Sequence, residues 1–266
     1  MNLNAHCLRR HGRVATLAMG LWIAASAAFS AIDAQTVLAA SDAIRNPGQP
    51  FRVTVTLTEF ESGKQIETST LTSYSRMLER GGQFSSLLRF VQPACDAGKL
   101  MLKNGNDMWF FDPATKASVR LSPQQRLLGQ ASNGDVVTVN FAKDYQATVA
   151  AEESVQDGER KTRKAFKLAL TAATPDATYA TIDLWVDADS HAPLKARFNA
   201  ESGRLLKTAY YRRFQQQLGA ERPTETVIID GVNTGSVTLV RMSDYAARSI
   251  PATWFTRDYM ARFQPE

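Results

Sequence analysis

The sequence predicts a mainly β fold of the α+β class, in which about ten strands pair as antiparallel hairpins beside two or three short helices. Three observations predict it. Apolar and polar residues alternate with a period of two along several segments, turn residues separate those segments, and helical spacing is confined to a few short stretches. A sheet of this size curls, closes or splits in two. A curled sheet would enclose a cavity, which a mid-chain helix would fill or cover.

The first predicted element is a helix, and two strands follow it. Apolar residues recur at helical spacing over residues 37–44, and Asn46-Pro47-Gly48 ends the helix. Over residues 51–57 the period changes to two, which indicates a half-buried strand. Glu61-Ser62-Gly63 then turns the chain into a threonine-rich strand over residues 66–78.

The middle of the chain is predicted to contain short strands and one helix. The strands fall at residues 83–91, 99–103, 108–111 and 118–121. Ser122-Pro123 is typical of a helix start, so a short helix is predicted over residues 124–128, with Gly129 ending it. A polar loop follows at residues 130–135, and residues 136–145 fit a strand or a helix.

The second half of the chain is predicted to be β until its last segment. Asp157-Gly158 marks a hairpin, and strands follow at residues 166–170, 182–186, 194–200, 204–214, 225–229 and 236–242. Residues 253–263 carry five large apolar side chains and are predicted to form an amphipathic helix.

Residues 1–30 are predicted to be a secretory signal peptide. Arg9, Arg10 and Arg13 precede an apolar run over residues 14–29 that ends in small side chains. The run has about 16 residues, fewer than the roughly 20 that span a bilayer, which disfavours a membrane anchor. We expect cleavage between residues 28 and 34, which leaves a single domain over residues 31–266.

Removal of this leader narrows the possible chemistry. It takes away His6, His11 and Cys7 and leaves His191 and Cys95. A His-based triad needs a partnered histidine, and a zinc site usually draws on several His or Cys ligands. We therefore expect no enzyme, no catalytic residues, no metal and no cofactor. Cys95 fits a buried apolar side chain, an intermolecular disulfide or a reactive thiol.

The charge balance argues against nucleic acid as a partner. The chain has 31 basic and 26 acidic side chains, and residues 1–30 hold three arginines and no acid. Without the leader, 28 basic and 26 acidic side chains remain, a net charge of +2. A protein so close to neutral lacks the basic excess that binding to phosphate backbones requires.

One block in the first half carries a family resemblance. Its motifs are Leu88-Arg89-Phe90-Val91-Gln92-Pro93, Gly98-Lys99-Leu100-Met101-Leu102, Asn104-Gly105-Asn106-Asp107-Met108-Trp109-Phe110-Phe111-Asp112-Pro113 and Ser122-Pro123-Gln124-Gln125-Arg126. Their order and spacing resemble the LolA/LolB-like outer membrane lipoprotein-sorting proteins. Trp185-Val186-Asp187 and Pro193-Leu194-Lys195 continue the resemblance, which covers residues 34–263. The chain departs from the family at Asn133-Gly134-Asp135, where the family pattern has a Ser-Asp-aromatic step.

The resemblance implies a strongly curved, open antiparallel sheet, a half-barrel, with short helices covering its concave face and a hydrophobic cavity for acyl chains. It implies a periplasmic carrier that ferries lipoproteins or lipids towards the outer membrane. The implied partners are acyl chains, an RND-type inner-membrane transporter and an outer-membrane acceptor, with transient membrane contact and no nucleic acid. The alternative is a non-catalytic accessory or binding module of an envelope transport complex.

Seven residues are candidates for the functional site. Six are predicted to line the acyl cavity: Leu100, Leu102, Trp109, Phe111, Leu127 and Leu128. The segment around Trp109 is apolar on both strand faces, which favours a lining role, although ordinary core packing explains it too. Leu127 and Leu128 lie on the predicted short helix, either a lid or a plain capping helix. The resemblance implies that Arg89 latches this lid through its carbonyl groups; the competing interpretation is that its guanidinium reaches solvent.

Overall fold

The architecture is described for residues 32–79, 82–174 and 177–264 of a computed structural model. The predicted signal peptide, residues 1–30, lies outside these residues. The described residues form the strands β1 (Phe51–Glu61), β2 (Lys64–Met77), β3 (Phe84–Gln92), β4 (Leu100–Asn104), β5 (Asp107–Asp112), β6 (Ala117–Arg120), β7 (Arg126–Leu128), β8 (Ala131–Ser132), β9 (Tyr145–Gln156), β10 (Thr162–Ala172), β11 (Thr181–Asp187), β12 (Pro193–Asn199), β13 (Leu205–Gln217), β14 (Ala220–Asp230) and β15 (Ser236–Ala247). Their helices are α1 (Ala34–Arg45), α2 (Asn133–Val136), α3 (Phe141–Asp144), α4 (Arg257–Met260) and a 3₁₀ helix at Ala252–Phe255.

Thirteen of the described strands form one antiparallel sheet in the order β6-β5-β4-β3-β2-β1-β15-β14-β13-β12-β11-β10-β9. The order follows the chain except that β1 pairs with β15, which brings the first and last strands together. The sheet is curved and its two edge strands, β6 and β9, are not joined into a barrel. The predicted fold class is therefore confirmed: a mainly β protein with an open, half-barrel sheet and few short helices.

The described residues form fifteen strands, whereas twelve strand ranges are predicted from the sequence; β7, β8 and β9 are the additional ones. Strand β9 was missed because it is an edge strand whose residues are mostly exposed, so no apolar alternation marks it. The segment that fitted either a strand or a helix, residues 136–145, contains the single turn of α3 and then enters β9 at Tyr145.

Helix α1 ends where its sequence predicts, and it begins at Ala34, ahead of the predicted residues 37–44. The Asp33 side chain accepts a hydrogen bond from the Gln35 N–H at 3.0 Å, as an N-cap does. Helix α1 ends at Arg45 because Asn46, which precedes a proline, is extended. Buried Arg222 of β14 donates to the carbonyl oxygens of Ala43 and Ile44, which the end of the helix leaves without partners. None of the described helices is long and apolar enough to span a bilayer.

The predicted helix over residues 124–128 is wrong. Ser122 and Gln125 close a turn through a 3.1 Å backbone hydrogen bond, and the next residues form β7, which pairs with β8. The pairing with β8 takes the backbone hydrogen bonds that a helix would have used. Gly129 turns the chain between the two strands at φ +51°, and a Cβ there would lie 2.3 Å from Thr238 Oγ1.

Two apolar surfaces of the sheet are covered, each by its own segment. The concave, inner face carries the larger core, formed with α1 and residues 130–145. The outer face carries a second core on β2 to β5, formed with residues 250–263. The helix predicted over residues 253–263 is interrupted at Thr256, which is extended between the 3₁₀ helix and α4.

Cys95 is exposed and unpaired in the turn between β3 and β4. Its interpretation as a buried apolar side chain is wrong, because β3 ends at Gln92 and the chain leaves the sheet before it reaches the cysteine.

Candidate functional site

An interior cavity of about 110 Å³ lies between the inner face of the sheet and residues 130–145, which we call the inner segment. Val53, Val55 and Ile228 line it from the strands, and Val137 and Val139 line it from the inner segment. The volume exceeds the roughly 10–15 Å³ that admits one water but falls below the 300–1,000 Å³ of pockets for drug-sized ligands. The closed form therefore has a small apolar interior that must widen to take a long ligand.

Tyrosine hydroxyls are the main neutral polar groups of this cavity. Tyr145, Tyr179, Tyr211 and Tyr245 line it. Burial raises the pKa of all four, to about 12 for Tyr245, so they stay protonated at neutral pH. The tyrosines therefore add no charge to the cavity, and its valine and isoleucine lining suits a hydrocarbon chain.

A buried lysine binds the first half of the inner segment to the sheet. Lys207 of β13 is 4% exposed, and its Nζ donates to the Gln130 carbonyl oxygen at 2.9 Å, to Ser132 Oγ at 3.2 Å and to the Asp135 carboxylate. The same carboxylate accepts from the Tyr179 hydroxyl and from the Ser132 N–H, both at 2.7 Å. We call Lys207, Ser132, Asp135 and Tyr179 the Lys207 cluster.

The end of α1 binds the second half of the inner segment. Arg45 Nη2 and Asn46 Nδ2 each donate to the Val139 carbonyl oxygen at 2.8 Å. Asp42 accepts from the Ala142 N–H at 2.8 Å and pairs with Arg45 at 2.5 Å. Polar contacts from two sides therefore hold the inner segment over the cavity.

Two carboxylates line the cavity, and both are engaged. Asp135 belongs to the Lys207 cluster, and Asp144 accepts from Gln83 Nε2 at 2.9 Å. Burial raises the pKa of Asp144, and the Gln83 hydrogen bond lowers it in part. His191 lies in the turn after β11 and does not line the cavity. The geometry fits binding of an apolar chain.

The structure brings four of the predicted acyl-cavity residues together, but on the outer face. Leu100, Leu102 and Phe111 are buried in the outer core, and Trp109 packs against it. Phe255, at 1% exposure, is buried in the same core from the covering segment. None of the four line the interior cavity.

Leu127 and Leu128 lie on the inner side, apart from those four. Leu128 is buried in the inner core, and Leu127 lines a shallow apolar groove of about 300 Å³ beside Phe110 and Leu121. Arg89 lies on the outer face, because it alternates with Phe90 of the inner core. Its side chain makes no hydrogen bond or ion pair with any residue of the described chain.

Sequence reasoning missed the Lys207 cluster. The available signal was a lysine in phase with Ala209 and Tyr211 on a strand whose other face is polar. The adjacent Leu205 and Leu206 are both apolar, so the alternation that would mark the inward face of the strand is not evident there. The partner Asp135 lies 72 residues away along the chain.

The comparisons with known proteins identify the fold and the family. A family model described only as "Uncharacterized protein" matches residues 82–262. A search of curated proteins gives no match. A solved structure of a LolA superfamily protein from Nitrosomonas europaea is 34% identical, with a TM-score of 0.77 over 86% of this chain and 100% of that one.

Two more solved structures share the fold. One, described as an outer membrane lipoprotein-sorting protein domain from Vibrio parahaemolyticus, is 20% identical, with a TM-score of 0.69 over 86% of this chain and 98% of that one. The other is a DUF1329 family protein from Desulfovibrio piger, 21% identical, with a TM-score of 0.71 over 85% of this chain and 97% of that one. Because the Nitrosomonas protein is matched over its whole length at 34% identity, the chain belongs to the LolA superfamily.

Proposed function

We propose that the protein is a periplasmic carrier that binds acyl chains of lipoproteins or lipids in the interior cavity and ferries them towards the outer membrane. The predicted leader over residues 1–30 would deliver it to the periplasm, where residues 31–266 would act as one carrier domain. An RND-type transporter is the proposed donor and an outer-membrane protein the proposed acceptor. Contact with the membrane would be transient.

One observation carries the proposal: a small apolar cavity is closed by a segment that polar contacts hold in place. Val136, Val137, Val139 and Phe141 of the inner segment are buried against the sheet. An acyl chain presents the same kind of surface, so it can take over these contacts when the segment moves. Each buried CH₂ contributes about 0.8 kcal/mol, which offsets the hydrogen bonds that the segment loses.

The experiment reduces the volume of the cavity by a substitution on one of the strands that line it. Ala209 lines the cavity from β13, and Thr208 beside it points to the other face. We expect Ala209→Leu to weaken the binding of a fluorescent fatty-acyl probe by about tenfold or more, because the larger side chain fills the cavity. Thr208→Leu adds similar bulk outside the cavity and serves as the matched control.

Native mass spectrometry of the protein purified from periplasm tests the same idea without a probe. We expect co-purifying phospholipid or acylated protein in the wild type and less of it in Ala209→Leu. Equal probe binding by both variants would place the acyl site elsewhere. A wild type that is empty and takes up no probe would overturn the carrier proposal and favour the accessory binding module.

A further inference from the structure

A second space, which we call the basic cleft, adjoins the Lys207 cluster. It measures about 280 Å³ and is lined by Arg126 of β7, Arg204 before β13 and Lys207 itself. Ser132 and Tyr179 of the cluster also line it, and Tyr179 lines the interior cavity as well. The Lys207 cluster therefore stands where the cleft and the cavity meet.

The cleft carries two cations without a direct partner. Arg126 and Arg204 are exposed, and the guanidinium of neither forms a hydrogen bond or ion pair with a residue that the structure describes. Asp230 lies at the same cleft. Its pKa is lowered, first by the N–H of Asn233 and further by the charges of Arg126 and Arg204. The positive charges of the two arginines therefore stabilise negative charge in the cleft, although neither guanidinium forms an ion pair with a described residue.

Within the described residues, every acceptor of Lys207 lies on the inner segment. A lysine ammonium has three N–H donors, and those of Lys207 are directed at Gln130, Ser132 and Asp135. An anion that took Lys207 from Asp135 would leave that carboxylate buried without its cation. An unpaired buried charge is strongly disfavoured, so Asp135 would move to water and the segment would move with it.

We propose that the basic cleft binds the anionic head group, a carboxylate or phosphate, of the carried amphiphile and that this head group competes with Asp135 for Lys207. The inference rests on the proposed carrier function and names its substrate class: single-chain or multi-chain amphiphiles with a negative head group. The head group binds Arg126, Arg204 and Lys207. The acyl chain of the same amphiphile enters the interior cavity, which widens when the inner segment moves away.

The test compares ligands that differ only in the head group. Palmitate and cetyl alcohol have the same chain length, and both can displace a fluorescent acyl probe from the mature protein. We expect the wild type to bind palmitate about tenfold more tightly than cetyl alcohol, because charge-assisted hydrogen bonds form only with the carboxylate. We expect this preference to fall as the salt concentration rises.

Two double variants separate the cleft from general charge effects. Arg126→Gln with Arg204→Gln is expected to remove the preference for palmitate and to leave cetyl alcohol binding unchanged. Arg160→Gln with Lys161→Gln removes the same charge at the exposed β9–β10 turn and is expected to keep the preference. A preference that survives the first pair, or equal loss of both ligands, overturns the inference while the carrier function stands. If neither ligand binds the wild type, the carrier function itself fails.

Inorganic phosphate distinguishes a lipid head group from a free anion. We expect phosphate to compete with palmitate but not with cetyl alcohol, and only at far higher concentration, because it buries no chain. Phosphate that competes at the same concentration as palmitate would assign the cleft to a free anion and overturn the inference.

Discussion

The inner face of the sheet and the outer face of β2 to β5 are both apolar and both covered, but the covers are held differently. The outer face lies under residues 250–263, where Ile250, Phe255 and Met260 are each 1% exposed. Aromatic contacts complete this cover, including Trp254 edge-on to Tyr74 with ring centres 5.4 Å apart. The inner face lies under the inner segment, which the Lys207 cluster and the end of α1 hold through hydrogen bonds and ion pairs.

This difference separates a permanent core from a cover that a ligand can exchange. The outer cover accepts hydrogen bonds from Arg76 at Ile250 and from Asn104 at Phe255, but among the described residues it buries no ion pair and is held mainly by apolar contacts, which water does not replace. Each polar contact of the inner segment can be replaced by water or by a ligand group. The inner cover also leaves a cavity beneath it. Apolar contacts therefore dominate the outer cover, and buried charges mark the inner cover, which is the one suited to exchange with a ligand.

The largest expected effect is the loss of stability when a substitution disrupts the outer cover. Phe255→Ala should lower the free energy of unfolding by about 3–5 kcal/mol, because it removes a fully buried aromatic ring. Denaturant unfolding measures this, with Val119→Ala, at a 51% exposed position, as a control expected within about 0.5 kcal/mol. Acyl-probe affinity per folded molecule should not change. A loss of affinity at unchanged stability would show that the outer face takes part in binding.

The next largest effect is the loss of stability when a substitution removes the ion pair that holds the inner cover. Lys207→Met should lower the free energy of unfolding by about 3 kcal/mol, because Asp135 is left buried without its cation. Adding Asp135→Asn should restore most of that loss, which a double-mutant cycle measures. Arg89→Gln removes a charge from the outer face and should change stability by no more than about 0.5 kcal/mol. Equal losses for Lys207→Met and Arg89→Gln would contradict the role of Lys207 in holding the inner segment.

The smallest expected effect is a pH-dependent change in stability that comes from the buried carboxyl group of Asp144. Burial raises the pKa of Asp144 above its unfolded value, while Gln83, Lys103 and Arg45 partly oppose the rise. The folded state then keeps a proton that the unfolded state has released, so the wild type loses stability as the pH rises from the unfolded pKa to the folded one. Asp144→Asn avoids this loss, and its amide oxygen can still accept from Gln83.

Urea unfolding of Asp144→Asn and the wild type at pH values below and above this window measures the difference. We expect the variant to be the more stable protein at neutral pH and the two to converge in acid. A difference that does not depend on pH would contradict the raised pKa.

Much of the fold followed from local patterns, and the rest depended on partners far along the chain. Helix α1 and the alternating strands are encoded within a few residues of themselves, as the N-cap Asp33 and the alternation in β1 show. Residues 126–128 could not be assigned locally, because the pairing of β7 with β8 decides that they are a strand. The Lys207 cluster could not be found from local patterns either, because Lys207 and its partners lie 72 to 77 residues apart along the chain.

The sequence by itself determined that Trp109 and Phe111 share one face of a strand and that Phe110 takes the other, because side chains alternate along every strand. It could not determine which face encloses the cavity. That depends on which segment packs on each face, and the covers come from residues 130–145 and 250–263. Only the tertiary structure made Leu100 and Phe111 part of a closed core and made Lys207 the group that holds the inner segment.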